Sequence, residues 1–377
     1  MRAFATMRAL QSCTQLRTVV LPLAESLSPP PREEFEYLEL PDPQIAAASW
    51  LRHSESRSLL KQLKSLPARA RVGAPACMDS LTDEDTYDLV YVLRLYLAGA
   101  ALPLRLRYPG AHFVLDIDEV DARVTRQQAQ LLETSGDSEK AARYRGEAQL
   151  QDSFAQAAYS WFDTVACASD TEATSLTLES NPVVLPNVIA PPVDDIAKAD
   201  ITDPHLLYLG NLDYQPNRDA LGRLVEGILP GLRAVLPGAH LSIAGGGGEA
   251  QRLQMEQIPG VNWLGYAEQL PPLYREASVV AVPLQVGGGS RIKILEAFAH
   301  GVPVVATTRA VEGLSVKAGV HVLLAETDSE FVAAILQLQT DSTLRSRQVA
   351  AARKLVCDHY SPRVLAQRMA ALAGKLT

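Results

Sequence analysis

A glycine run that leads into a basic turn is the part of this sequence best suited to bind a charged ligand. It offers three glycines, a hydroxyl, two cations and a carboxylate: Gly287, Gly288, Gly289, Ser290, Arg291, Lys293 and Glu296. Glycine lets a ligand approach the backbone closely, and Ser290 is the predicted N-cap of a helix whose free N–H groups carry partial positive charge. With Arg291 and Lys293 in the first turn, the pattern predicts a diphosphate site.

Glu296 lies one turn further along the same predicted helix. Helical side chains lean toward the N-terminus, so its carboxylate points back toward a ligand held by the glycine run, where it suits a pair of sugar hydroxyls. An alternative interpretation is that Arg291 and Lys293 are solvated surface charges, with Lys293 paired to Glu296. The glycines would then form an ordinary turn between a strand and a helix.

The elements that must position these side chains alternate regularly. Six short apolar runs are separated by helical patterns in the C-terminal half: LLYLG, HLSIAG, VNWLG, SVVAVPL, PVVATT and HVLLAE. Such alternation predicts a doubly wound, Rossmann-like α/β domain, in which ligands bind beyond the carboxyl ends of parallel strands. The helix that carries Arg291 and Lys293 is predicted to end at Gly301.

The segment GGGSRIKILEAFAHGVPVVAT resembles the donor-binding signature of retaining glycosyltransferases of the family 4 type. It is similar to the glycosyl transferases group 1 branch that reads G-G-G-[ST]-R-x-K-x-x-E. The resemblance implies the α/β GT-B fold, with two Rossmann-like domains facing a cleft and a C-terminal helix crossing back to the first domain. It also implies that Arg291 and Lys293 hold the donor diphosphate as catalytic residues and that Glu296 bonds the ribose. The implied donor contacts of the loop are Gly288, Gly289 and Ser290.

Further donor contacts are implied by two other segments that resemble this family. In GNLDYQPNRDA, Gly210 allows close approach to the donor and Asn217 is a polar contact. In WLGYAEQ, backbone near Gly265 and Tyr266 is implied to contact the nucleotide base. Many relatives carry an arginine and a lysine in the first of these loops, but those places hold Asn211 and Pro216 in this chain. The positive charge is therefore expected from Arg291 and Lys293 instead.

One departure concerns the donor sugar. Typical members have two glutamates eight residues apart, and the first contacts the sugar, whereas Gly288 stands at that position here. Backbone N–H groups of the glycine run or side chains of the other domain must then hold the sugar, whose identity stays open.

The N-terminal half is expected to form the acceptor side. We expect a Rossmann-like domain over residues 1–193 that lacks the first strand of its relatives, a nucleotide-sugar domain over 204–360, and the crossing helix over 361–377. The run DLVYVLRLYL and the run HFVLD, which DIDEVDAR follows, read as buried strands, because each is a short apolar run. The acceptor-side candidates there are Arg94, Asp116, Asp118 and Arg123. Structural support, acceptor contact and metal binding are the three interpretations left open for the acidic cluster.

The composition of the sequence limits which partners, metal sites and cellular compartments we expect for this protein. The net charge of −8 argues against a nucleic acid partner. Four scattered cysteines without a C-x-x-C pair indicate reduced thiols and imply no metal site. We expect a cytoplasmic protein. The basic zone 52–71 fits the solvated face of an ordinary amphipathic helix, and the alternative is a peripheral contact with the inner membrane face.

The resemblance implies retaining transfer of a hexosyl group from a nucleotide diphosphate sugar, with a UDP-sugar favoured. The acceptor would be a glycan, a lipid-linked molecule or a small molecule, and the resemblance implies that no metal or other cofactor is required. Two alternatives are a catalytically silent GT-B protein that binds a nucleotide sugar or a partner, and a nucleotide-sugar epimerase.

Overall fold

The computed structural model describes residues 2–13, 18–20, 37–39, 86–176, 178, 182–190, 203–212, 214–247, 249–287 and 291–374. The chain divides into two compact units. The N-terminal unit contains Met1–Pro186, Gly288–Ser290 and Leu365–Thr377, and the C-terminal unit contains Asn187–Gly287 and Arg291–Val364. The predicted basic zone 52–71 lies outside the described residues.

The N-terminal unit has a four-stranded parallel sheet in the order β3-β4-β5-β6 and a separate parallel pair β1-β2. Its strands are β1 (Thr18–Val20), β2 (Tyr37–Glu39), β3 (Leu89–Leu93), β4 (His112–Asp116), β5 (Thr164–Cys167) and β6 (Val183–Val184). The predicted strand 88–97 is shorter than expected, because the backbone of Arg94 turns to a φ of 83°. A 3-10 turn at Leu95–Leu97 follows.

The helices of this unit are Arg2–Gln11, Ala98–Arg107, Asp121–Thr134, Ser138–Tyr159 and Asp170–Ser175, and most of Pro362–Ala373 also belongs to it. The helices Asp121–Thr134 and Ser138–Tyr159 are separate, since Gly136 has a φ of 88° between them and Asp137 caps the second. Ser169 caps the helix Asp170–Ser175, because its side chain accepts a hydrogen bond from the backbone N–H of Glu172.

The C-terminal unit has a six-stranded sheet in the order β12-β11-β10-β7-β8-β9, and every pairing is parallel. Its strands are β7 (His205–Leu209), β8 (His240–Ala244), β9 (Val261–Gly265), β10 (Val279–Val282), β11 (Val304–Ala306) and β12 (Leu323–Leu324). Its helices are Gln215–Arg223, a π-helical turn Leu224–Ile228, Leu229–Val235, Glu249–Glu256, Pro271–Glu276, Ile292–Ala299, Asp328–Thr340 and Ser342–His359. The expectation of a doubly wound parallel α/β domain is confirmed.

The central strands of the C-terminal unit are buried along their whole length. Every residue of β7 and β10 is buried, as expected for parallel strands that helices cover on both faces. None of the described helices has the length and apolar character needed to cross a bilayer.

Candidate anion-binding site

The basic helix, Ile292–Ala299, begins directly after Arg291 and presents its first turn beyond the end of β10. Arg291 itself is the N-cap and has left-handed backbone angles, with φ 46° and ψ 28°. The prediction that Ser290 is the N-cap was wrong, and the reason is that the chain enters the helix through this strained arginine. Ser290, Gly288 and Gly289 lie outside the described residues.

The guanidinium of Arg291 is buried and held by backbone carbonyls. Its Nη2 donates to the carbonyl of Gly287 at 2.9 Å, and its Nε donates to that of Glu312 at 3.3 Å. Both acceptors are neutral carbonyls, and they orient the guanidinium. The arginine therefore joins the start of the glycine run to the turn that follows β11.

Lys293 points its ammonium into the same unit. Its Nζ donates to Oδ1 of Asn217 at 2.8 Å and to the Tyr208 hydroxyl at 3.4 Å, and it lies 4.5 Å from the centroid of the Tyr208 ring. Burial, helped by the positive charge of Arg291, lowers the pKa of Lys293 to about 7. No carboxylate among the described residues lies within ion-pair distance of this ammonium. The alternative interpretation, a solvated Lys293 paired to Glu296, is wrong.

Asn217 holds the lysine because its own amide is fixed. Its Nδ2 donates to the carbonyl of Asn211 at 2.8 Å, and its Oδ1 also accepts from Tyr208 at 3.2 Å. A Cβ on Gly210 would stand 2.8 Å from Nδ2 of Asn217, so no larger residue fits at position 210 without displacing the amide. Asn217 thus occupies part of the space beside Gly210 in which the donor was predicted to approach the backbone.

Glu296 is buried one turn after Lys293, as predicted. It accepts a hydrogen bond at Oε2 from the Tyr274 hydroxyl at 3.0 Å, and Tyr274 stacks on His300 with 4.5 Å between ring centroids. Burial raises the pKa of Glu296. Its Oε1 exchanges no hydrogen bond with any residue that the structure describes, which leaves that oxygen able to accept from a ligand hydroxyl.

Sequence reasoning missed the two tyrosines that position these charges. Tyr208 lies inside the apolar run of β7, and Tyr274 lies in the short helix Pro271–Glu276. The available signal was a hydroxyl on a fully buried side chain, which needs a partner.

The predicted base contacts lie at the end of β9. Gly265 has a φ of 68°, and its carbonyl accepts from the backbone N–H of Gly245 at 2.8 Å. The ring of Tyr266 is 81% exposed. Nothing in the described structure links either residue directly to Lys293 or Glu296.

In the N-terminal unit, three of the four acceptor-side candidates meet at the carboxyl ends of β3 and β4. Arg94 forms an ion pair with Asp118 at 2.7 Å. Asp116 accepts from the Tyr91 hydroxyl at 2.5 Å and from the backbone N–H of Asp118 at 3.2 Å. Arg94 and Asp118 both have positive φ, at 83° and 57°, an arrangement that costs energy and is found at binding sites.

The fourth candidate, Arg123, lies in the first turn of the helix Asp121–Thr134. Within the part of the chain that the structure describes, no three His, Cys, Asp or Glu side chains are grouped as a metal site would require.

The sequence that forms this site was compared with known protein families. Residues 203–341 match the family model described as Glycosyl transferases group 1. The matched segment contains Arg291, Lys293, Asn217 and Glu296, and hence every side chain of the anion-binding site described above. The comparison with curated proteins gave no match.

Solved structures show the same fold at low sequence identity. Sucrose-phosphate synthase from Thermosynechococcus elongatus is 17% identical with a TM-score of 0.69, over 98% of this chain and 91% of that chain. HepE from Anabaena, in complex with UDP and glucose, is 16% identical with a TM-score of 0.55, over 76% and 78%. A glycosyltransferase from Rickettsia africae is 13% identical with a TM-score of 0.57, over 92% and 86%. The fold is α/β with parallel sheets in two domains, as in these GT-B glycosyltransferases.

Proposed function

We propose that this protein transfers a glycosyl group, a hexosyl group in our reading, from a UDP-sugar to an acceptor with retention of anomeric configuration. One observation carries the proposal: the segment that matches glycosyl transferases group 1 places two cations, Arg291 and Lys293, at the start of one helix, and no carboxylate among the described residues pairs with Lys293. UDP is favoured because the structural neighbour HepE is in complex with UDP and glucose.

The electrostatics favour an anionic ligand. Burial and the neighbouring charge of Arg291 lower the pKa of Lys293, so the free site disfavours the charged ammonium. A diphosphate placed at the first turn of the basic helix would relieve that cost, accept hydrogen bonds from both cations, and meet the partial positive charge of the helix N-terminus. The Oε1 atom of Glu296 would then accept from the ribose.

The same groups would act on the reaction. When the bond between the sugar carbon and the diphosphate oxygen breaks, negative charge develops on the leaving diphosphate. Arg291 and Lys293 would stabilise that charge more strongly than they stabilise the bound donor, which lowers the barrier. The acceptor hydroxyl would attack from the face that the leaving group vacates and give its proton to the departing diphosphate oxygen, so that the new glycosidic bond keeps the configuration. Because these side chains supply the positive charge, we propose that transfer requires no divalent metal.

Binding is the first test. Isothermal titration with UDP, GDP and ADP in EDTA should show tightest binding of UDP to the wild type and none to the double variant Arg291→Ala/Lys293→Ala. Equal binding by both proteins would refute the site.

Turnover is the second test. With a UDP-sugar and a panel of acceptors, Arg291→Ala should lower kcat by about 10²-fold or more, as loss of one such electrostatic donor does. NMR of the product anomeric proton would report retention. Tight UDP binding with no turnover of any donor would favour the catalytically silent alternative, and turnover without an acceptor would favour the epimerase.

A further inference from the structure

The N-terminal unit contains a cavity of about 260 Å³ that the proposed donor site does not use. It lies between the helices Asp121–Thr134 and Ser138–Tyr159 and the end of Asp170–Ser175, with Leu95 on one wall. Leu95 follows β3 and Val120 follows β4, so the cavity opens where these parallel strands end, which is the usual ligand position in such sheets. Its size is close to the lower end of ligand pockets, about 300 Å³.

Two polar groups line the cavity without a hydrogen-bond partner. Tyr159 is 7% exposed, yet within the described parts of the chain no residue exchanges a hydrogen bond with its hydroxyl. The carboxylate of Asp121 likewise accepts none from the described residues. Burial raises the pKa of Asp121 to about 6, and the negative charge of Asp121 helps to raise that of Tyr159. The two groups therefore interact electrostatically. The carboxylate of Asp121 can accept a hydrogen bond from a ligand, and the hydroxyl of Tyr159 can donate one.

The charges around the cavity disfavour an anion. Arg126 lines the cavity, but its guanidinium is bound to Asp152. Arg94, the nearest other cation acting on Asp121, is bound to Asp118 and lies 3.6 Å from Glu119. The carboxylate of Asp121 is thus the one charged group lining the cavity in the described structure that has no ion pair, and it favours ligands that donate hydrogen bonds.

We propose that this cavity binds one ring of a neutral or aminated sugar, with Asp121 accepting from a ligand hydroxyl or ammonium and Tyr159 donating to a ligand oxygen. The apolar walls formed by Leu95, Val120 and Ala155 would pack against the C–H face of the ring. This inference rests on the proposed function, in which the ring is the terminal sugar of the acceptor. The acceptor is then a glycan end that carries no negative charge near the binding ring.

Three monosaccharides with the same ring and different charge test the proposal: glucosamine, glucose and glucuronate. Saturation-transfer difference NMR on the full chain should rank them in that order, with glucuronate at least about tenfold weaker than glucosamine, because a hydrogen bond to a charged group is worth about 1.5–3 kcal/mol. Binding of glucuronate as tight as that of glucosamine, or binding of none of the three, would overturn the proposal.

Variants locate the binding in the cavity. Asp121→Asn should weaken glucosamine by about tenfold and abolish the preference over glucuronate. Asp170→Asn is the matched control, because Asp170 is also the first residue of a helix, is exposed, and does not line the cavity. Tyr159→Phe keeps the ring in the core and removes only the hydroxyl, so it should weaken all three sugars while leaving the melting temperature unchanged. Unaltered sugar binding in both cavity variants would refute the assignment.

UDP titration on the same samples separates this inference from the proposed function. UDP binding with no sugar binding would overturn the cavity proposal alone. Sugar binding at the cavity with no UDP binding would support the cavity and refute the transferase.

Discussion

The affinity of this protein for UDP should fall as pH rises above 7. The cause is Lys293, whose pKa of about 7 means that the ammonium loses its proton in the free protein near neutrality. A bound diphosphate favours the charged form and raises that pKa, so binding takes up a proton. The groups that act on Lys293 are Arg291, which stays charged, and Glu296, whose carboxylate favours the charged lysine.

The magnitude follows from the proton balance. Each pH unit above the free-state pKa costs about 1.36 kcal/mol, or tenfold in affinity, while the bound lysine stays protonated. Lys293 of the free protein is half deprotonated at pH 7. UDP should therefore bind about 50-fold more weakly at pH 9 than at pH 7. At pH 8 each binding event should take up about 0.9 proton. The phosphate itself, with a second pKa of about 6, is ionised throughout this range.

The assay is isothermal titration with UDP at pH 7, 8 and 9, in pairs of buffers with different ionisation enthalpies so that proton uptake is read directly. Lys293→Arg is the control, since a guanidinium does not titrate here and should give a flat profile whatever its absolute affinity. Glu296→Gln should keep a falling profile, because the lysine still titrates. An affinity of the wild type that is constant from pH 7 to 9 would refute the assignment of a depressed Lys293 pKa to the binding site.

Three further predictions concern single side chains. Gly210→Ala should weaken UDP about tenfold in the same titration, because a Cβ there stands 2.8 Å from the Asn217 amide that holds the lysine; an unchanged Kd would show that the amide is dispensable. Glu296→Ala should weaken UDP by at least about tenfold more than it weakens inorganic pyrophosphate, since only UDP has a ribose to donate to the carboxylate, whereas the loss of the carboxylate's effect on Lys293 is common to both ligands; equal losses for both ligands would refute the ribose contact. Thr327→Ala removes one half of a capping box with Glu330 and should lower the free energy of unfolding by about 1 kcal/mol in urea, with UDP affinity retained.

The sequence was sufficient where a local pattern decides the structure. The apolar run His112–Asp116 was predicted as a strand and forms β4 over those residues. The helix Ser342–His359 was not predicted, and its weak separation of apolar and polar residues explains why. At the candidate site the sequence correctly predicts Arg291, Lys293 and Glu296 as charged groups of one helix. It does not predict the side chains that surround them.

Those surroundings depend on contacts between distant segments. The bond from Lys293 to Asn217 joins residues 76 positions apart, and periodicity carries no information about such a pair. The N-cap was placed at Ser290 because serine has the higher capping propensity, whereas the structure uses Arg291 in a left-handed conformation that few residues other than glycine adopt. The surrounding fold imposes this backbone strain, so the capping propensities of the amino acids do not predict it.

The strand order of the C-terminal unit has a consequence for how the chain is made. β7 is synthesised first and lies in the middle of the sheet, and β8 and β9 add to one of its edges in sequence order. Half of the sheet can therefore assemble once Gly265 has left the ribosome, while the other edge of β7 stays open until β10 arrives. An open apolar edge invites pairing with other chains. A translational pause that exposes β9 while β10 is still inside the ribosome would therefore leave this protein prone to aggregate through the open edge of β7.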